Sequence, residues 1–149
     1  MRDIILVPSD GSFLAEKGVD KGLELARERG AKVIAVTVTE PFGGQFGFAS
    51  ELWSPSDAEL AQYDAQQEEA AMGILSPIAE KARAIGVEIE IVHIPNRLVA
   101  ASLAELAEQR CCSAIVMASH GRTGINRALH GSQTSAVLSN SKVPVIVAR

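Results

Sequence analysis

The chain reads as an α/β protein, an open five-stranded parallel sheet with helices on both faces. Three observations predict this. Short apolar runs rich in β-branched residues recur five times along the sequence. Segments with helical spacing separate them, giving strand–helix–strand units whose strands must run parallel. Most of the runs are continuous rather than alternating, as strands covered on both faces are.

The first strand is Ile4-Ile5-Leu6-Val7. Ser9-Asp10-Gly11-Ser12 then supplies a turn, with Ser12 as the expected N-cap of the first helix. Leu14, Val19, Leu23 and Ala26 mark the apolar face of that helix, and Gly30 ends it. The second strand is Val33-Ile34-Ala35-Val36-Thr37-Val38. Residues 40–56 break the pattern with Pro, Gly and Ser, and hold Phe42, Phe46, Phe48 and Trp53. A loop this long in a small domain is often functional. Two readings stand: a surface excursion packed on the domain or a partner, or a lid that orders over a ligand.

Residues 57–85 predict a long helix, with a kink or break near Ser76 because Gly73 and Pro77 interrupt it. Val87-Glu88-Ile89-Glu90-Ile91 alternates, as a half-exposed edge strand does. Pro95 precedes a third helix carrying Val99, Leu103, Leu106 and Ala107. The fourth strand is Ala114-Ile115-Val116-Met117, and a last helix is expected from Ser132 to about Asn140. Val143-Pro144-Val145-Ile146-Val147 is the fifth strand.

Composition narrows the function classes. A chain of 149 residues predicts one domain, 1–149, and 47% hydrophobic with 21% charged residues is ordinary for a globular protein. A net charge of −4 with no basic cluster argues against a nucleic-acid partner. The apolar run near the start is too short for a signal peptide, and no run is long enough for a membrane span, so a cytoplasmic location is expected. Cys111 and Cys112 are adjacent, a spacing that suits neither zinc nor a disulfide framework; a buried, inert pair is expected.

The stretch "ASHGRTGINRALHGS", residues 118–132, places three glycines and two serines between the fourth strand and a helix start. Glycine permits close backbone approach, and the first turn of a helix offers unpaired N–H groups with roughly half a positive charge. Such a loop can make an anion nest without any lysine. Ser132 either donates its hydroxyl to a phosphate or caps its own helix. Neither a Walker loop nor GxGxxG is present. In parallel sheets ligands sit beyond the carboxyl ends of the strands, where the strand order reverses. The polar loops after the first and fourth strands meet there if those strands are neighbours.

Ala118-Ser119-His120-Gly121, nine residues, then Gly131-Ser132 closely resembles the nucleotide loop of the universal stress protein family, whose ATP-binding members show G-x-x-G, nine residues, G-[S/T]. Val7-Pro8-Ser9-Asp10-Gly11-Ser12 is similar to that family's first-strand signature, and Val143-Pro144-Val145-Ile146-Val147 to its closing strand. The resemblance runs along the whole chain. It implies strand order 3-2-1-4-5, a homodimer through the last strand, and ATP over the ends of strands one and four. It implies Asp10 facing the adenosine and Val38 offering backbone groups to adenine. Gly121, Gly131, Ser132 and Gln133 would hold ribose and phosphates. The same motif positions add Pro8, Ser9, Met117, Ala118, His120, Arg122 and Thr134 to the candidate site. Any Mg²⁺ would be held mainly by the phosphates. The first motif glycine is Ala118 here. If its φ is positive, the alanine costs about 1–2 kcal/mol; if negative, its methyl only narrows the approach.

Catalysis needs a positioned base or nucleophile. Asp10 either contacts a sugar or forms a turn with its own backbone. His120 reads as a solvated or backbone-bonded imidazole in preference to a phosphate ligand, and Arg122 as exposed. His93 and His130 show no partner spacing. No phosphoryl-transfer set is recognisable, so slow hydrolysis is the most the residues suggest. The expected function is a nucleotide-dependent stress-response module with an unidentified protein partner. The alternative is a nucleotide-free dimeric interaction module. An adenylating enzyme would need an SGGxDS-like loop after the first strand, where Ser9-Asp10-Gly11-Ser12 stands.

Overall fold

The computed structural model describes residues 2–41, 55–119 and 135–149. Eight elements follow one another: β1 (Ile4–Pro8), α1 (Phe13–Arg29), β2 (Lys32–Val38), α2 (Asp57–Ala84), β3 (Ile89–Ile94), α3 (Val99–Gln109), β4 (Ala114–Ala118) and β5 (Val145–Ala148). Residues 135–140 add a further helical segment. The five strands form one sheet in the order β3-β2-β1-β4-β5, with every pairing parallel. This is the architecture expected from the sequence.

Side chains alternate across each strand, so the sheet has two cores. Ile5 and Val7 of β1 join Val33, Ala35 and Val116 on one face, covered by Val19, Leu23 and Ala26 of α1 and Leu75, Ile78 and Ala82 of α2. Leu6 points to the other face with Ile34, Val36, Ile115 and Met117, under Leu103 and Ala107 of α3 and Val137 of the 135–140 segment. Ile5, Leu6 and Val7 are completely buried, which is why β1 is a continuous apolar run.

Local signals set the ends of α1. The Ser12 hydroxyl accepts from the Ala15 amide at 3.1 Å, and Gly30 at φ 64° closes the helix with its own N–H on the Ala26 carbonyl. Two other expectations need correction. The helix α2 is continuous from Asp57 to Ala84, with Pro77 inside it, and no break occurs near Ser76. Gly73 and Pro77 both lie on its exposed side, so the lost backbone bond falls toward solvent while Leu75, Ile78 and Ala79 hold the helix to the core. The edge strands also run later than their apolar letters suggested. Pairing of β3 begins at Ile89 and continues through His93 to Ile94, because its register follows Val33 to Val38 of β2. In β5 it begins at Val145; Pro144 has no N–H and contributes only its carbonyl, to the Ile115 amide.

One close approach brings α1 onto the sheet. A Cβ placed on Gly18 would lie 2.7 Å from the Ala118 backbone nitrogen and 3.1 Å from the Met117 carbonyl carbon. Backbone cannot yield as a side-chain tip does, so only glycine fits there. At the opposite end of the sheet, Glu90 of β3 receives both guanidinium nitrogens of Arg110 at 2.8 Å and the Lys32 ammonium at 3.2 Å. The Arg110 hydrogen bonds, opposed by partial burial and aided by Lys32, lower the Glu90 pKa from 4.5 to about 2.

Two outcomes follow from these contacts. Gly18→Ala should lower the urea-unfolding free energy by about 1–3 kcal/mol, because α1 must lift from the end of β4. An unchanged midpoint would show that this approach is looser than described. Glu90 has a depressed folded-state pKa, so its stabilisation is complete above its unfolded value near 4.5 and is lost as pH falls toward about 2. The pair is about one-third exposed, and after screening its worth is about 1 kcal/mol. The acid limb of a stability–pH curve should therefore flatten in Glu90→Gln over that window relative to the parent chain.

Candidate functional site

β1 and β4 are neighbours, and the chain leaves them in opposite directions across the sheet, toward β2–β3 and toward β5. Their carboxyl ends therefore bound the crevice where the strand order reverses. A cleft of about 470 Å³ opens there, within the range of small-molecule sites. Its floor and walls include Pro8, Ser9 and Asp10 after β1, Val38 at the end of β2, and Met117 and Ala118 at the end of β4. These are the described members of the predicted set, and tertiary structure brings all of them to one place.

The loop after β1 is held by a chain of hydrogen bonds. The Ser9 amide donates to the Val36 carbonyl at 2.9 Å, and the buried Thr37 hydroxyl donates to the Ser9 carbonyl at 3.0 Å. The Gly11 amide then donates to Ser9 Oγ at 3.1 Å, and the Ser12 amide to Asp10 Oδ1 at 2.9 Å. Asp10 thus forms the turn with its own backbone and lines the cleft as well. The two sequence readings of this residue are compatible because a carboxylate has more than one acceptor site. Gly11 sits at φ 81° with Ile74 of α2 against it, 2.9 Å from where a Cβ would stand. The turn is therefore clasped by α2 as well as by the sheet.

At the end of β4, Ala118 pairs with Ala148 of β5, and the Ser119 amide donates to the Ala148 carbonyl at 2.9 Å. The described non-glycine residues with positive φ are Asn96 and Cys111. Ala118 is not one of them, so alanine at the first motif position carries no left-handed strain. Its methyl simply forms part of the cleft lining.

Sequence reasoning missed the wall contributed by α2 and by the segment after β2. Tyr63 and Gln67, one turn apart, line the cleft with Thr39, Glu40, Leu14, Val99 and Leu103. The Tyr63 hydroxyl donates to the Glu40 carbonyl at 2.7 Å, and Asn96 Nδ2 donates to Asp64 Oδ1 at 3.3 Å, which tie the first half of α2 over the ends of β2 and β3. Thr39 Oγ1 and His93 Nε2 are 2.9 Å apart. His93, which showed no partner spacing in the sequence, is half-buried beside a cleft residue. The only signal for the α2 wall was Tyr63 and Gln67 at i and i+4 in an otherwise polar stretch, and nothing local says where that face points.

Among the described lining residues there is no Lys or Arg, whereas Asp10 and Glu40 are both acidic. His120, Gly121, Arg122, Gly131, Ser132, Gln133 and Thr134 lie outside the described residues, as do His130 and the aromatic residues Phe42, Phe46, Phe48 and Trp53. Among the described residues no group of three or more His, Cys, Asp or Glu side chains could hold a metal ion, and no helix is long and apolar enough to cross a membrane. The cysteine pair needs correction. Cys112 is buried, and burial pushes its thiol up to about 11, but Cys111 is exposed on the turn before β4. Cys111 takes a left-handed conformation, φ 53°, in the turn after α3, and its side chain stays outside while Cys112 packs inward.

Against this geometry, the universal stress protein family model matches residues 1–149. The chain belongs to the universal stress protein family. A universal stress protein of Methanocaldococcus jannaschii is 30% identical over 148 residues, covering 97% of this chain and 81% of the relative. The universal stress protein from Archaeoglobus fulgidus in complex with dAMP superposes with a TM-score of 0.68 at 20% identity, covering all of this chain and 98% of the other. A universal stress protein in complex with cAMP superposes with a TM-score of 0.65 at 22% identity, covering 99% and 96%. At those identities the two structures establish the shared fold.

Proposed function

We propose that this universal stress protein binds an adenine nucleotide, ATP in the first instance, in the cleft between the ends of β1 and β4, and works as a nucleotide-dependent regulatory module. The observation that carries the reading is the convergence of Pro8, Ser9, Asp10, Val38, Met117 and Ala118 on one cleft at the reversal of strand order. The volume suits a nucleoside with room beyond it, and Val38, Val99 and Leu103 supply apolar walls for a base. Proteins of this fold described in complex with cAMP and dAMP support the ligand class.

The described lining residues include no Lys or Arg; in this reading the phosphates go to the glycine-containing segment 120–134, as the resemblance to the family's nucleotide loop implies. There Gly121, Gly131, Ser132, Gln133 and Thr134 would present amides and hydroxyls, with His120 and Arg122 alongside. Glu40 repels phosphate from the β2 end and leaves that end for the nucleoside. Asp10 lies between, where a sugar hydroxyl can donate to its carboxylate. Magnesium accompanying the nucleotide would be carried mainly by the phosphates. A homodimer through residues 143–147 is part of the proposal, supported by the edge position of β5, whose outer backbone groups would otherwise face solvent unpaired.

Two measurements test it. Titration of the purified chain with ATP should raise its unfolding free energy by about 2.7 kcal/mol at one hundred times the dissociation constant, and Asp10→Ala should shift that titration to higher ATP. No thermal shift at millimolar ATP, with no adenine nucleotide released on denaturation, would leave the nucleotide-free interaction module as the reading. Val147→Lys in the edge strand should convert a dimer to a monomer in light scattering, with thermal melts confirming that it folds; an unchanged mass would place any interface elsewhere.

A further inference from the structure

The polar groups lining the cleft differ in whether the protein already uses them. Ser9 Oγ accepts from the Gly11 amide, and Asp10 Oδ1 from the Ser12 amide. The Thr39 hydroxyl is within hydrogen-bonding distance of His93 Nε2, Tyr63 donates to the Glu40 carbonyl, and Ser119 Oγ donates to the Ala148 carbonyl at 3.4 Å. The Gln67 side-chain amide is different. It lines the same cleft, half-buried, and makes no hydrogen bond with any of the described residues. A primary amide carries two donors and two acceptor lone pairs, and against apolar walls it gains most by meeting a ligand group of matching pattern.

Its place in the fold says which part of a nucleotide it meets. Tyr63 is one helical turn before Gln67, and its hydroxyl is bonded to the carbonyl of Glu40, two residues past Val38. The amide therefore stands on the β2 side of the cleft, in a lining it shares with the acidic Glu40 and the apolar Val38 and Val99. That is the base end. An amide satisfies adenine at its N6–N7 edge with two hydrogen bonds: its oxygen accepts from the N6 amino group and its nitrogen donates to N7. Guanine presents two acceptors on the same edge, O6 and N7, so turning the amide over cannot match it.

We propose that Gln67 is a specificity-determining residue of the cleft, reading the N6–N7 edge of adenine and thereby selecting adenine over guanine nucleotides. The inference rests on the nucleotide-binding reading above and adds to it the group that chooses the base. A site built to hydrogen-bond one polar pattern rejects a ligand lacking it, because its own groups are then left unpaired.

The test uses the full chain and three probes, ATP, GTP and 7-deaza-ATP, with dissociation constants from calorimetry. The parent chain should prefer ATP over GTP, and also over 7-deaza-ATP, by about tenfold or more. Gln67→Leu keeps the size and helical preference of the side chain, and thermal melts establish that it folds. It should lose about tenfold or more in ATP affinity, less for 7-deaza-ATP, which keeps only the N6 bond, and little for GTP, so that the three constants draw together. An ATP-to-GTP ratio that survives Gln67→Leu, or a 7-deaza penalty that persists in it, would overturn the role of Gln67 while leaving nucleotide binding intact. A parent chain that binds none of the three probes would overturn the nucleotide-binding reading itself, and this inference with it.

Discussion

Burial of β1 on both faces is the constraint on which the rest of the structure depends. Ile5, Leu6 and Val7 are shut away from water, with β2 and β4 hydrogen-bonded on either side. A central strand of this kind has no polar face, and its neighbours take up its backbone groups as far as they run beside it. Where β1 ends, at Pro8 and Ser9, the chain must find new partners at once. It finds them in the Val36 carbonyl and the Thr37 hydroxyl of β2, then in its own Ser9 and Asp10 side chains. The ordered turn beside the cleft is thus a direct consequence of how deeply the strand is buried.

Two glycines extend the same logic to the helices. Gly18 lets α1 come within van der Waals distance of the backbone at the end of β4, and Gly11 lets Ile74 of α2 close on the turn. Both contacts fall at the carboxyl end of the sheet. The first and fourth strands, and the two helices packed on one face, are therefore locked together near the cleft rather than far from it. A ligand entering such a site meets groups already in position, and binding then costs less ordering of side chains.

The cleft has an electrostatic direction as well. Asp10 and Glu40 make the described part acidic, so the field there disfavours a polyanion beside them. Most of the polar side chains in the lining are committed to holding the protein's own backbone. On the reading proposed above, recognition would fall to main-chain amides and to the few side chains left uncommitted, the Gln67 amide among them.

Much of this was legible in the sequence. The continuous runs of β1, β2 and β4, the Ser12 cap and the Gly30 stop are local signals with local causes, and each stands where the pattern placed it. The residues at the ends of β1, β2 and β4 could be nominated for the cleft because the resemblance to the family's motifs placed them there. The resemblance to a family, not periodicity, supplied the strand order. Other features had no local cause to read. Pro77 is tolerated because its side of α2 faces solvent, β3 continues to Ile94 because β2 gives it partners, and Cys111 is exposed because it sits at a positive φ in the turn before β4. Tyr63 and Gln67 lie more than twenty residues beyond the end of β2 and reach the cleft only because α2 folds back across the sheet. By itself, then, the sequence determined which segments are strands and helices and which turns end them, since hydrophobic period and capping act between near neighbours. Only the tertiary structure decided which side chains face one another across the cleft, because that depends on packing between segments distant in the chain.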